Sequence, residues 1–361
     1  MHSAPDPASF PLMRTALPLI ACLALGCGHT EPLTTAPSSF DQPFAAGSPL
    51  RLTYSAGSDR TPQWSSDRGH IVYAFDRGPR LDSIAVGCVA ELPAAGGSRG
   101  AEVCDGDPTL PTGTIIRPFW PARRSDGAMA YVRQYWRGVN RNPVQSDLVL
   151  QPGDPLQPQQ RLFSIPYFSV PTATTHSGIS HLQWLDHDHL IYLARVQLNA
   201  SLVNFDSGIE IVIVSADSGL ASLQVVPGTH YASSVARGAT SDTIYYTLGG
   251  QSVVYRRILS TGTVDTVFDF GALGIARDVQ VKAGRLTAIV GGDVSFHPDT
   301  IAQYGMLQDD RGGPIYAVTL PNGTPVRLAD TVYAYQHLAL SPDGTRVISE
   351  QGGDLWSITV P

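Results

Sequence analysis

Lysine is almost missing from this chain: of its 24 basic residues only Lys282 is a lysine, a bias that points to genomic base composition rather than to function. Charge of either sign is sparse, at 15% of residues, and the balance is −7. With no basic field to neutralise phosphates, the composition argues against nucleic acid as a partner. Helical periodicity is absent beyond the N-terminal segment, and no apolar run after Leu25 is long enough to span a bilayer. Gly-x-Ser-x-Gly, His-Glu-x-x-His and Gly-x-x-x-x-Gly-Lys-Ser/Thr are also missing. No nucleophile elbow, zinc-binding helix or phosphate loop can therefore be read, and neither a cofactor nor a resident metal is expected. What the chain does have is turns and bulk. Gly 35 and Pro 28 fit many short connections. A 43% apolar share of 361 residues can fill a large core.

The N-terminus reads as a targeting segment. Arg14 precedes an apolar run, Ala16–Leu25, too short to span a membrane as a mature helix. The run ends in Leu23-Ala24-Leu25-Gly26-Cys27, which resembles the lipobox of bacterial lipoproteins. The resemblance implies a signal peptide over 1–26, lipidation of Cys27 and anchoring in the cell envelope through lipid alone. Cys22, in Leu19-Ile20-Ala21-Cys22, is a second possible box, and an ordinary secretory signal is the plainer alternative. Residues 27–48, rich in Pro, Ser, Thr and Ala without periodicity, read as a tether. Two cysteines remain, Cys88 and Cys104, on successive expected strands. In an exported chain such a pair reads as a disulfide across a hairpin.

Self-similarity organises the rest. In the tail, Leu338-Ala339-Leu340 stops at the turn Ser341-Pro342-Asp343-Gly344, and strands follow over Arg346–Ser349 and Leu355–Val360. Weaker copies recur back to Thr61: the spacing of seven from Trp64 to Ile71 equals that from Leu340 to Val347. Further copies begin near Ile115, Ile179, Tyr231 and Ala276. The last copy lacks one strand, and Pro49-Leu50-Arg51-Leu52 supplies it by its match to Pro325-Val326-Arg327-Leu328. The expectation is an all-β, six-bladed β-propeller of four-stranded antiparallel blades over 49–361. Its first ordered strand closes the C-terminal blade and leaves no open edge.

Pro62-x-Trp64-Ser65-x-Asp67-x-Gly69 and Leu340-Ser341-Pro342-Asp343-Gly344 resemble the WD40-like repeat of TolB-type propellers, which also occurs in relatives of prolyl oligopeptidase. The resemblance implies the propeller fold. It does not carry over TolB's partner interactions, because 28–48 is too short and too polar for the helical N-terminal domain of that family. No hydrolase domain is expected either, since the repeats run to the end of the chain.

Polar residues at the starts of the inner strands point to function, because they ring one mouth of a propeller's channel. Asp59, Arg60, Arg117, His181, Arg277, Asp278 and His337 form this set. Arg117, His181, Asp278 and His337 each stand three residues before an apolar reference position: Trp120, Trp184, Val281 and Leu340. A long loop expected on the same face, Arg133–Ser146, holds Tyr135, Trp136 and Arg137, of residue types enriched in interface hot spots, beside the insertion 293–313. The tryptophans at repeat positions read as packing between blades. Asp186-His187-Asp188-His189 looks metal-like but occupies a turn, where such residues are at home. The resulting expectation is a non-enzymatic module that binds a protein, peptide or envelope polymer at its loop-bearing face. The alternative is an envelope lyase or hydrolase with an acid/base or metal site at the channel mouth.

Overall fold

Residues such as Ile71, Val72, Tyr73, Ala74 and Phe75 form a continuous apolar run with no exposed face. Such a strand needs cover on both sides, and stacked blades supply it. The computed structural model describes residues 49–54, 57–65, 69–77, 86–100, 102–104, 114–137, 142–154, 157–166, 176–197, 207–291, 313–328 and 336–361.

The described residues form six four-stranded antiparallel sheets. β1 (Leu50–Arg51) belongs to the last of them. Blade 1 is β2 (Asp59–Trp64), β3 (His70–Arg77), β4 (Val86–Pro93) and β5 (Glu102–Cys104). Blade 2 is β6 (Ile115–Arg123), β7 (Met129–Arg137), β8 (Asn142–Gln151) and β9 (Gln160–Pro166). Blade 3 is β10 (His176–Trp184), β11 (His189–Gln197), β12 (Ser207–Ser215) and β13 (Gly219–Val225). Blade 4 is β14 (Ala232–Arg237), β15 (Thr243–Leu248), β16 (Val253–Ile258) and β17 (Val264–Asp269). Blade 5 is β18 (Ala276–Lys282), β19 (Arg285–Val290), β20 (Ile315–Thr319) and β21 (Val326–Arg327). Blade 6 is β22 (Gln336–Leu340), β23 (Arg346–Gln351) and β24 (Asp354–Thr359), with β1 as its outer strand.

The ring closes as the sequence leads one to expect. Leu50 pairs with Ser357 and Arg51 with Trp356. The Leu52 amide donates to the Leu355 carbonyl at 2.7 Å, and the Leu355 amide donates to Thr53 Oγ1 at 2.8 Å. Apolar packing follows the same circle. One buried cluster lies at each blade–blade interface, from blades 1 and 2 round to blades 6 and 1. Cys88 and Cys104 sit directly opposite on β4 and β5 and are joined by a disulfide. In the blade 6 turn, Ser341 Oγ donates to Asp343 Oδ1 and accepts the Thr345 and Arg346 amides, while Gly344 takes φ 74°. Only glycine meets that angle without strain.

Blade 2 departs from the expected register. Arg123, not Trp120, pairs with the first residue of the next strand, Met129. The apolar pair Phe119-Trp120 imitates a strand centre in sequence, so the alignment with Trp64 and Trp184 slips by three positions. The targeting segment with Cys27, the tether to residue 48 and residues 293–312 of the insertion 293–313 lie outside the described residues.

Candidate functional site

Each inner strand carries at least one extra residue, and β10 carries two. The register shifts between Arg60 and Gln63, Phe119 and Ala122, Ser180 and Gln183, Arg277 and Gln280, and Gln336 and Ala339. Within these bulges Thr61, Trp120, His181, Asp278 and His337 take φ between 46° and 54°. A non-glycine residue there costs about 1–2 kcal/mol. The bulge turns that strain into convergence, since a bulge re-aims its side chains. Thr61 Oγ1 accepts the Trp120 amide at 2.9 Å, and Asp278 Oδ2 accepts the Leu338 amide at 2.5 Å. Blade 4 does the same with Ser234, whose Oγ accepts the Val279 amide. In blades 1, 4 and 5 a bulge side chain thus ties its blade to the next.

Three of these residues meet a fourth across the channel. The Trp120 ring stacks on His181 at 4.4 Å and meets His337 edge-on at 4.7 Å, linking blades 2, 3 and 6. His181 Nε2 lies 3.7 Å from Asp278 Oδ1. His337 Nδ1 lies 2.8 Å from Glu350 Oε2. Burial, then the neighbouring His337, pushes the His181 imidazole down to about 3. Burial pushes the Asp278 carboxyl up to about 6, against the lowering effect of His337, the Leu338 amide and Arg277. His181 is therefore neutral at pH 7, and its contact with Asp278 is not an ion pair. Trp120 Nε1 and Asp278 Oδ1 are buried with no hydrogen-bond partner among the described residues.

Of the residues singled out in the sequence, His181, Asp278 and His337 are brought together. Arg117 is not their equivalent; Trp120 stands at that position in blade 2. Arg117 lies over the Trp136 ring at 5.4 Å and 3.7 Å from Asp76. Arg60 forms a two-pronged pair with the same buried Asp76, at 2.8 and 2.5 Å. Arg277 Nη2 donates to the Gly291 carbonyl at 3.1 Å. Tyr135 is buried and donates to Asp147 at 2.8 Å, and Trp136 packs against the cluster between blades 2 and 3. Arg137 ends β7, and its side chain lies outside the described residues. Trp64 and Trp184 staple blades, donating indole N–H groups to the Ala339 and Ala122 carbonyls. In the Asp186–His189 turn, Asp186 Oδ1 accepts the Asp188 and His189 amides. Among the described residues, the ligand-type atoms that converge within 4.8 Å belong to Cys88, Glu102 and Cys104, where both sulfurs are already bonded to each other.

At the opposite mouth, where the inner strands end, a cavity of about 780 Å³ opens. Trp120 and His181 reach it from the channel, while His337 and Asp278 do not line it. Arg237 and Lys282, the last residues of β14 and β18, stand on its wall. Sequence reasoning missed both, because neither stands in a motif and they are 45 residues apart.

No protein-family model and no curated protein sequence matches this chain. Solved structures do match it in fold. TolB from Acinetobacter baumannii superposes with TM-score 0.51 at 12% identity, covering 81% of this chain and 64% of TolB. The chain thus spans less than two thirds of that relative's length. XC5397 from Xanthomonas campestris, described as a gluconolactonase, gives 0.50 at 12% identity, covering 87% of this chain and 89% of its own. A luciferin-regenerating enzyme gives 0.50 at 11% identity, covering 87% and 96%. At such identities the likeness is one of fold, and it agrees with the ring of six sheets. The chain is an all-β, six-bladed β-propeller, a fold it shares with TolB.

Proposed function

We propose that this protein is a non-enzymatic envelope lipoprotein whose propeller binds a protein, peptide or envelope polymer, and that the ligand enters the cavity at the strand-end mouth. The cavity carries this reading. It is large enough for a protruding side chain or chain end, and of the channel cluster only Trp120 and His181 reach it. The remaining acid and base groups of that cluster do not line the cavity. On the loop-bearing face, Arg60, Tyr135 and Trp136 are engaged with their own blades or the next, which favours structural roles for them. The loops 138–141 and 292–312 of that face lie outside the described residues. The fold shared with TolB is compatible with a binding role, and the fold shared with a gluconolactonase is compatible with the enzymatic alternative.

The test is capture of a partner from solubilised envelopes by wild type and two variants. Ala239 is exposed and lines the cavity, so Ala239→Trp fills the mouth without entering the core. Capture is expected to fail with Ala239→Trp and to persist with Trp136→Ala, both proteins being folded. The reverse pattern returns the site to the loop-bearing face. Catalysis remains the second reading because neutral His181 reaches the cavity. Turnover of an envelope substrate abolished by His181→Asn, at unchanged fold, would favour it.

A further inference from the structure

We propose that the strand-end cavity holds an oxyanion of its ligand, a carboxylate or phosphate group, between Lys282 and Arg237. The proposal rests on the reading that this cavity is the ligand site. The chain carries 31 acidic against 24 basic residues, yet the described wall of the cavity contains Arg123, Arg237, Arg256 and Lys282 and no Asp or Glu. Two of these cations are neutralised from outside the cavity, Arg123 by Glu91 and Arg256 by Asp265. Among the described residues the other two are not: Lys282 Nζ donates only to the Arg237 carbonyl, at 3.0 Å, and Arg237 Nε is buried without a hydrogen-bond partner.

Two like charges with no counter-charge, half out of water on the wall of one cavity, are a costly arrangement, and a bound anion relieves it. Burial and the neighbouring Arg237 push the Lys282 ammonium down to about 8, the signature of a cation that lacks a partner. The other groups facing it from the surrounding blades are His181, Tyr245, Arg256 and Arg123, and blade 6 contributes apolar Leu340 and Pro342. Arginine suits a planar two-pronged grip and lysine a point contact, so together they fit a carboxylate or a phosphate.

The chain offers a direct test, because it has one lysine. In protein grown with [13C]lysine, the Cε resonance reports the Lys282 titration alone. Inorganic phosphate and succinate are added in separate arms at constant ionic strength. A carboxylate site responds to succinate, a phosphate site to phosphate, and a general oxyanion site to both. The expected result is a saturable rise of the midpoint by about one pH unit or more, since an opposite charge favours the charged form. In Arg237→Gln the midpoint without anion rises, because a like charge is removed, and anion affinity falls at least about tenfold. Arg123→Gln, which removes a cation already paired, serves as the control and leaves the response in place. A midpoint indifferent to both anions overturns the proposal. So does a response of equal size in Arg237→Gln, which would be bulk screening. Small-anion binding without capture of any partner sustains this site and defeats the functional reading. Capture that survives Arg237→Gln with a silent titration defeats the site and spares the reading.

Discussion

His181 and Asp278 lie 3.7 Å apart, yet burial moves their titrations in opposite directions. The imidazole stays neutral down to about pH 3 and the carboxyl stays protonated up to about pH 6. The folded pKa of His181 lies below its unfolded value, so its contribution to stability is present above about pH 6.5 and lost as pH falls toward 3. The folded pKa of Asp278 lies above its unfolded value, so its contribution is present below about pH 4 and lost as pH rises through 6. Across the window between, the two slopes oppose each other in the wild type. Asn tolerates the left-handed backbone that both positions adopt. Relative to wild type, Asp278→Asn should gain stability with rising pH across that window, by about 1.4 kcal/mol per unit at most. His181→Asn should lose it with the opposite slope. Urea unfolding of the three proteins at several pH values reads this, and parallel profiles would show that neither group is held off its normal titration. The sequence grouped these residues by a shared offset from an apolar position, and that much was legible. Trp120 was hidden because its bulkiness marked it as packing, and only contacts across the channel reveal that it joins them.

Strands and their closure were legible because each blade repeats the same local instructions. Turns such as Ser341–Gly344 carry their own hydrogen-bonding side chains, and the match of Pro49–Leu52 to Pro325–Leu328 names the missing strand. The short β1 does more than its length implies. It covers the edge of β24, places buried Leu52 between blades 6 and 1, and pairs Arg51 with Asp354 at 2.8 Å. Deleting residues 49–54 should expose that edge and produce concentration-dependent aggregation. Light scattering that stays flat at high protein concentration would refute the role assigned to β1. The outer strand of blade 1 is held differently. β5 has three residues, and the Cys88–Cys104 disulfide closes a separation of 16 on it. Replacing both cysteines by serine should cost about 3 kcal/mol in denaturant unfolding, mostly by freeing the unfolded chain. A loss well under 1 kcal/mol would mean that the hairpin is held by its strands alone. The blade 2 register was illegible for a physical reason: a bulge shifts pairing without leaving any mark in the apolar pattern.

At the scale of the molecule, a ring legible from its repeats positions a site that was not. Lys282 and Arg237 meet because blades 4 and 5 stack, and no local pattern in either blade announces it. Attachment of the ring to a membrane rests on the other end of the chain. No helix among the described residues is long and apolar enough to cross a membrane. We infer anchoring through Cys27, whose diacylation would supply two acyl chains, whereas a single chain gives only marginal, reversible binding. Cys27→Ala should therefore move the protein from the membrane pellet to the soluble fraction, and Cys22→Ala should leave it in the pellet. The exchange of those two outcomes would transfer the anchor to Cys22. Retention of both variants in the pellet, resistant to high salt, would overturn lipid anchoring and require contact through the protein itself.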